Sequence, residues 1–201
     1  MDEGRALLRA RMSVRRNELN AKQRIAAAAG VVHSLEMLPE FMTDANVAGY
    51  WAVRGELPLN LAVAALRRRE QHYFLPILGQ HHQLQFAEYA DSTPLTSNHF
   101  GIPEPDAPAA ARRGAHTLDV ILLPLLAFDR LGHRLGTGGG WYDRSLAFLN
   151  GKPRPATPLL VGVGYAFQQV GSVPVADWDV GLDYVATEAE LLTCCPPGDG
   201  D

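Results

Sequence analysis

The segment RLGTGGGWYDRSL, residues 134–146, places four glycines within five positions, with an arginine just before them and an aspartate just after. Glycine at that density costs backbone entropy, so the missing side chains must serve a purpose. Successive glycines can turn their N–H groups toward one point and let a bulky anion approach the main chain. A helix starting at the end of the loop adds its positive dipole end. The loop is a candidate phosphate cradle or, alternatively, a simple tight turn. It is neither common nucleotide loop: no lysine follows as in G-x-x-x-x-G-K-[ST], and the spacing Gly136, Gly138, Gly139, Gly140, Trp141 breaks G-x-G-x-x-G. Arg134 brings a planar fork suited to phosphate oxygens. Asp143, in the first turn of the following helix, either compensates the helix dipole or holds Mg²⁺ against a phosphate.

Little else in the chain suggests chemistry of its own. No convincing Ser/His/Asp or Cys/His arrangement is present. His81 and His82 are adjacent in a turn, and His33, His72, His99, His116 and His133 lack metal-ligand spacing. Cys194 and Cys195 are neighbours, a poor geometry for a disulfide, and read as thiols in a reducing compartment. Of 18 basic residues only Lys22 and Lys152 are lysines. Anion contacts therefore fall to arginine, although a G- and C-rich genome would produce the same skew.

The elements that must position the loop follow from periodicity. Residues 4–38 are helical, with Leu7, Leu8, Met12, Leu19 and Ile25 at loose helical spacing. VAGYWAV (47–53) and HYFLPIL (72–78) are strands flanking an amphipathic helix at 57–70, with Leu61, Ala65 and Leu66 inward. LQFAEY (84–89) alternates as an added strand, and 91–116 is a long irregular excursion. LDVILLPLLAF (118–128) and LLVGVGY (159–165) are continuous apolar runs, as in strands buried on both faces. A short helix at 166–170 and a last strand at 184–187 complete the chain. Strand and helix alternate, which implies an α/β fold with a mainly parallel central sheet and helices on both faces. Such a sheet binds ligands at the carboxyl ends of its strands.

At 201 residues and 47% hydrophobic content a single domain over 1–201 is expected. A formal charge of −4 and a pI near 6.0 argue against nucleic-acid binding. The longest apolar run, broken by Pro124, is too short to span a bilayer, and the N-terminus lacks a signal-peptide core. A cytoplasmic protein with no membrane partner is expected.

The segment PLLAFDRLGHRLGTGGGWYDRSL resembles the signature of the 5-formyltetrahydrofolate cyclo-ligase family, also called methenyltetrahydrofolate synthetases. Pro124, Phe128, Asp129, Gly132, Arg134, Leu135, Gly136, Gly138, Gly140, Tyr142, Asp143 and Arg144 all match its pattern. YWAVRGELPL, FLPIL, GIPEP and VPVADWDVGLDYVATE are similar to other parts of the family's sequence, so the likeness extends over most of the chain.

The resemblance implies an architecture like that of sugar-phosphate isomerases and CoA transferases. It also implies a monomer using ATP and Mg²⁺ to convert 5-formyltetrahydrofolate to 5,10-methenyltetrahydrofolate, ADP and phosphate. By the same likeness Arg5 and Arg9, four residues apart on one helix face, meet ATP together with Arg134, Leu135, Gly136, Thr137, Gly138, Gly139, Gly140, Trp141 and Tyr142. Trp51 and Glu56 meet the folate, with Thr137 through Trp141 facing it as well. Arg134 and Tyr142 carry the catalysis, and Asp143 and Asp179 hold the metal, with Asp177 and Asp183 as near alternatives to Asp179. Two other readings stay open: an isomerase or transferase of the same architecture, and a folate- or nucleotide-binding module without turnover.

Overall fold

The computed structural model describes residues 2–194. Helices α1 (Asp2–Asn17), α2 (Ala21–Glu36) and α3 (Pro39–Thr43) precede β1 (Asn46–Ala48), α4 (Asn60–Arg68), β2 (His72–Leu78) and β3 (Leu84–Glu88). Then come β4 (Leu95–Ser97), β5 (Pro103–Pro105), β6 (Val120–Pro124), β7 (Ala127–Phe128) and β8 (Arg134–Leu135). The chain continues through α5 (Trp141–Leu146), β9 (Leu159–Val163), β10 (Tyr184–Ala186) and β11 (Leu191–Thr193). Seven strands form the main sheet in the order β11-β10-β9-β6-β1-β2-β3. Its five inner strands are parallel, and β3 and β11 close the edges antiparallel.

Both faces of that sheet are covered, which is why β6 (VILLP) and β9 (LLVGV) carry almost no polar residues. On one face Val31, Leu35, Phe41 and Leu66 of α2–α4 pack on Val47, Leu75, Leu122 and Val161. On the other, Leu118, Leu146 and Leu149 cover Phe74, Ile121, Leu123 and Leu160. Helices thus lie on both faces, but unequally: α5 is six residues long and is continued only by a 3₁₀ turn. A smaller cluster joins Met12 of α1 to Leu126, Ala127, Leu135 and Val173. It docks α1 against the β7–β8 hairpin.

Several expected elements are shorter than their sequence pattern. The helical stretch 4–38 is two helices, separated where Asn20 caps α2 in a reciprocal box with Gln23. Leu7 is exposed, because the inward face of α1 is Arg5, Arg9, Met12 and Arg16 instead, and Ile25 is exposed on α2, which buries Ala27, Ala28, Val31 and Leu35. The strand at 47–53 stops at Ala48, and the helix at 57–70 narrows to 60–68 with Leu61 turned out. The apolar run 118–128 breaks after Pro124, and Ala127–Phe128 pairs with Arg134–Leu135 as a separate hairpin. The excursion 91–116 contains the β4–β5 hairpin, and the chain returns as β11, which the sequence pattern does not announce. Among the described residues no helix is long and apolar enough to cross a membrane. Cys194 is buried, and Cys195 lies outside the described residues.

Candidate active site

A cavity of about 790 Å³ opens where β1, β2 and β6 end. Its walls include the 50–56 turn after β1, the end of β2, the β4–β5 hairpin, the glycine loop with the start of α5, and the 175–179 turn. This is the carboxyl edge of the parallel strands, where crossover topology leaves a crevice.

The β7–β8 hairpin aims the glycine loop at this cavity. Asp129, 2% exposed, ties the hairpin together by accepting from the N–H groups of Leu131, His133 and Val173. Gly132 turns the chain at φ +83°, where an added Cβ would lie 2.5 Å from the Leu182 carbonyl oxygen. Two signature residues are therefore explained by the turn alone. Beyond it, two carbonyls of the loop are held by arginines: Gly136 O accepts from Arg9 Nε at 3.0 Å, and Gly139 O from Arg144 Nη1 at 2.9 Å. The N–H groups of residues 136–140 donate to no protein acceptor among the described residues. Gly138, at φ +102°, lies against the Arg9 guanidinium. The loop thus presents unspent donors beside a positive charge.

The arginine stripe of α1 runs along the same wall. Arg5 Nη1 and Nη2 donate to Asp179 at 2.6 and 3.2 Å. On β8 the Arg134 side chain is 4% exposed and donates from Nη2 to Asp143 Oδ1 at 2.6 Å. Its Nε is buried without a partner. Asp143 Oδ1 also lies 3.4 Å from the Val180 N–H, so the two acidic positions are neighbours in space. Burial opposes ionisation of Asp179, but the Arg5 bond, the Ala176 N–H and the charges of Arg5 and Arg134 outweigh it and hold the carboxyl below its usual range.

Asp177 is exposed and stands outside the cavity lining. Asp183 is at the opposite, amino-terminal edge of the sheet, bonded to Arg154 and to the Leu160 N–H at 2.8 Å. It is a folding contact. Asp183→Ala is expected to cost about 3 kcal/mol in a urea melt, because it strands the Arg154 guanidinium.

At the other end of the cavity Trp51 is about one-third exposed and meets Tyr89 edge-on, 6.1 Å between centroids. Glu56 faces inward, its Oε2 accepting from the Val53 N–H at 3.0 Å. Burial raises its pKa, against the Val53 bond and the charges of Arg16 and Arg54. The turn is fixed from behind: Tyr50 Oη donates to Leu57 O at 2.8 Å and Tyr165 Oη to Gly55 O at 3.3 Å. Trp141 and Tyr142 both line the cavity. Burial, with Glu56 nearby, pushes the Tyr142 phenol well up, so it stays protonated and keeps its O–H as a hydrogen-bond donor at neutral pH. Thr137 is exposed on the loop, and Leu135 is buried beneath it.

Arg16 was not foreseen. It is 3% exposed, continues the Arg5–Arg9–Met12 stripe, and its charge is felt at Glu56 from inside the protein. The i, i+4, i+7, i+11 spacing of these four residues is the signal that would have shown it.

Comparison with known proteins identifies the family. Residues 1–188 match the model of the 5-formyltetrahydrofolate cyclo-ligase family. A 5-formyltetrahydrofolate cyclo-ligase of Haemophilus influenzae is 34% identical over 171 residues, 84% of this chain and 89% of that protein. The enzyme of the same name from Escherichia coli K12 is 31% identical over 180 residues, 88% and 96% of the two chains. Among solved structures, the NMR structure of Aquifex aeolicus 5,10-methenyltetrahydrofolate synthetase superposes with a TM-score of 0.79 at 29% identity. It covers 98% of this chain and 94% of that one. The loop, the arginine stripe and the paired carboxylates therefore sit in a chain that belongs to the 5-formyltetrahydrofolate cyclo-ligase family.

Proposed function

We propose that this chain is an ATP-dependent enzyme that converts 5-formyltetrahydrofolate to 5,10-methenyltetrahydrofolate, releasing ADP and phosphate. The observation that carries the nucleotide half of this reading is the row of unspent N–H donors at 136–140 beside Arg9 and Arg134. Family membership supports the folate half.

The chemistry explains the residues. The N5-formyl group is amide-like, with a weakly electrophilic carbon and an oxygen that leaves poorly. Transfer of the γ-phosphoryl group to that oxygen activates the carbon, N10 attacks it, and the oxygen departs as phosphate. Such a transfer depends mainly on positioning and charge stabilisation. The loop amides and the Arg5, Arg9 and Arg134 guanidiniums bind and neutralise phosphate oxygens. Trp51 and Glu56 hold the folate. Tyr142 lines the cavity and keeps its proton, so it can offer a hydrogen bond to a substrate there.

Asp143 and Asp179 fit Mg²⁺. Both line the cavity, and Asp143 reaches the N–H of Val180, the residue after Asp179. Magnesium is commonly held in this way, by one or two carboxylates with substrate phosphates completing its shell. Bound there, the ion would neutralise charge on the transferring phosphoryl group. The carboxylates would exchange their arginine partners for the metal, leaving those arginines to the phosphates.

Neither lysine lines the cavity, which speaks against a lysine-based isomerase or transferase.

The test is direct: protein with Mg-ATP and 5-formyltetrahydrofolate should generate the absorbance of the methenyl product. No signal from folded protein with both substrates saturating would end this reading. A finer expectation concerns Glu56. Glu56→Gln should raise the KM for 5-formyltetrahydrofolate roughly tenfold to hundredfold, the scale of a hydrogen bond to a charged group, with the KM for ATP unchanged. Because burial raises the Glu56 pKa, its ionised form is lost at a higher pH than for an exposed glutamate. In the wild type kcat/KM for folate should fall as pH drops through that raised value, and the Gln variant should lack this limb.

A further inference from the structure

Trp178 is 68% exposed, yet it lines the cavity and makes no ring contact among the described residues. It does not sit on a loose loop. The Asp179 N–H donates to Ala176 O at 2.9 Å, and Asp179 Oδ2 accepts from the Ala176 N–H at 2.9 Å, closing the 176–179 turn on itself. The Arg5 guanidinium grips the same carboxylate with two nitrogens. On the other side Val180 reaches Asp143 at the start of α5. Val175, 43% exposed, extends the apolar surface along the same rim. A large flat indole is thus presented on an anchored turn, one residue from the carboxylate that meets Arg5.

We infer that Trp178 is the base platform of the nucleotide subsite, its indole face stacking on the purine of the bound nucleoside triphosphate. This rests on the proposed ATP-dependent reaction. With the phosphates on the glycine loop and Arg5, the base must leave the clamp along a rim of the cavity. The rim at 50–56 already holds Trp51 against Tyr89 and a carboxylate, Glu56. The rim at 175–178 is apolar, aromatic and adjacent to the Arg5 contact. Base stacking on an aromatic side chain is insensitive to which base is stacked, because every base offers a π face. The platform therefore supplies affinity for a nucleoside beyond that for its phosphates, with little choice between ATP and GTP.

Calorimetric titration separates the two contributions. Wild type, W178F and W178A are each titrated with Mg-ATP, Mg-tripolyphosphate and 5-formyltetrahydrofolate. W178A is expected to bind Mg-ATP about tenfold more weakly, W178F within about threefold of wild type. Tripolyphosphate and folate affinities should remain within about twofold throughout. The inference is overturned if W178A binds Mg-ATP as the wild type does, if it loses tripolyphosphate equally, or if the loss falls on folate instead. A wild type that binds neither ATP nor tripolyphosphate would fail differently: it would remove the nucleotide reading, and this inference with it.

Discussion

Asp143→Asn is expected to lower kcat about a thousandfold while the protein stays folded. The carboxamide is nearly isosteric. Its oxygen can still accept from Arg134 Nη2 and from the Val180 N–H, the two contacts Asp143 makes now. Only the charge is lost, so packing changes little and the effect falls on whatever the charge does. Removing one preorganised electrostatic group from a reacting centre typically costs about a hundred- to a thousandfold. The upper end is expected here because the carboxylate would hold the ion that neutralises the transferring group. Steady-state rates followed by methenyl absorbance, with a thermal melt beside them, decide the matter. Activity within about tenfold of wild type would mean that the metal is held elsewhere. Asp179→Asn should be milder, because Asp179 also closes its own turn through the Ala176 N–H and that bond survives in the amide.

The sheet was legible because its strands are buried on both faces. Uninterrupted apolar runs such as VILLP and LLVGV have few other uses in a chain of this size. The ends of elements were less legible, since the residues there serve the cavity and not the ladder. VAGYWAV reads as one strand, but only its first residues pair. Tyr50 and Trp51 leave the sheet to build a wall of the cavity. Helix α1 misled for a related reason. Hydrophobic periodicity assumes that the apolar face points inward, yet this helix buries Arg16 and half-buries Arg5 and Arg9 while exposing Leu7 and Val14. A helix that turns arginines toward a cavity inverts the usual pattern.

The site was legible residue type by residue type, through one dense segment. Arg134, the glycines and Asp143 lie within ten positions, so local sequence carries their geometry. Asp179 and its rivals are another matter. Asp177, Asp179 and Asp183 are chemically alike and two, four or six positions apart. What separates them is topology: Asp183 lies where β10 begins, at the sheet's amino-terminal edge, and Asp179 lies across the cavity from α1. Local spacing holds no information about which edge of a sheet a loop returns to.

Arg134→Ala should raise the KM for ATP about a hundredfold and leave the KM for 5-formyltetrahydrofolate unchanged. A charged donor buried without an acceptor is costly to keep. The Arg134 Nε is in that state, and the guanidinium's hydrogen-bond partner, Asp143, is the residue that the metal would claim. The fork is therefore underused in the protein alone and gains its acceptors when phosphate oxygens arrive. Loss of two charge-assisted bonds is worth about 3 kcal/mol, which converts to about a hundredfold in affinity. Arg134→Lys restores a point charge without the planar fork, so it should recover part of that loss. A purely structural role would instead lower the melting temperature of both variants and weaken both substrates together. The pairing also predicts non-additivity: once Asp143 is Asn, removing Arg134 should cost less than it does in the wild type, because part of its work is to hold that carboxylate in place. If folate affinity alone responds to Arg134→Ala, the guanidinium serves the formyl end of the cavity and the phosphate clamp is Arg5 and Arg9.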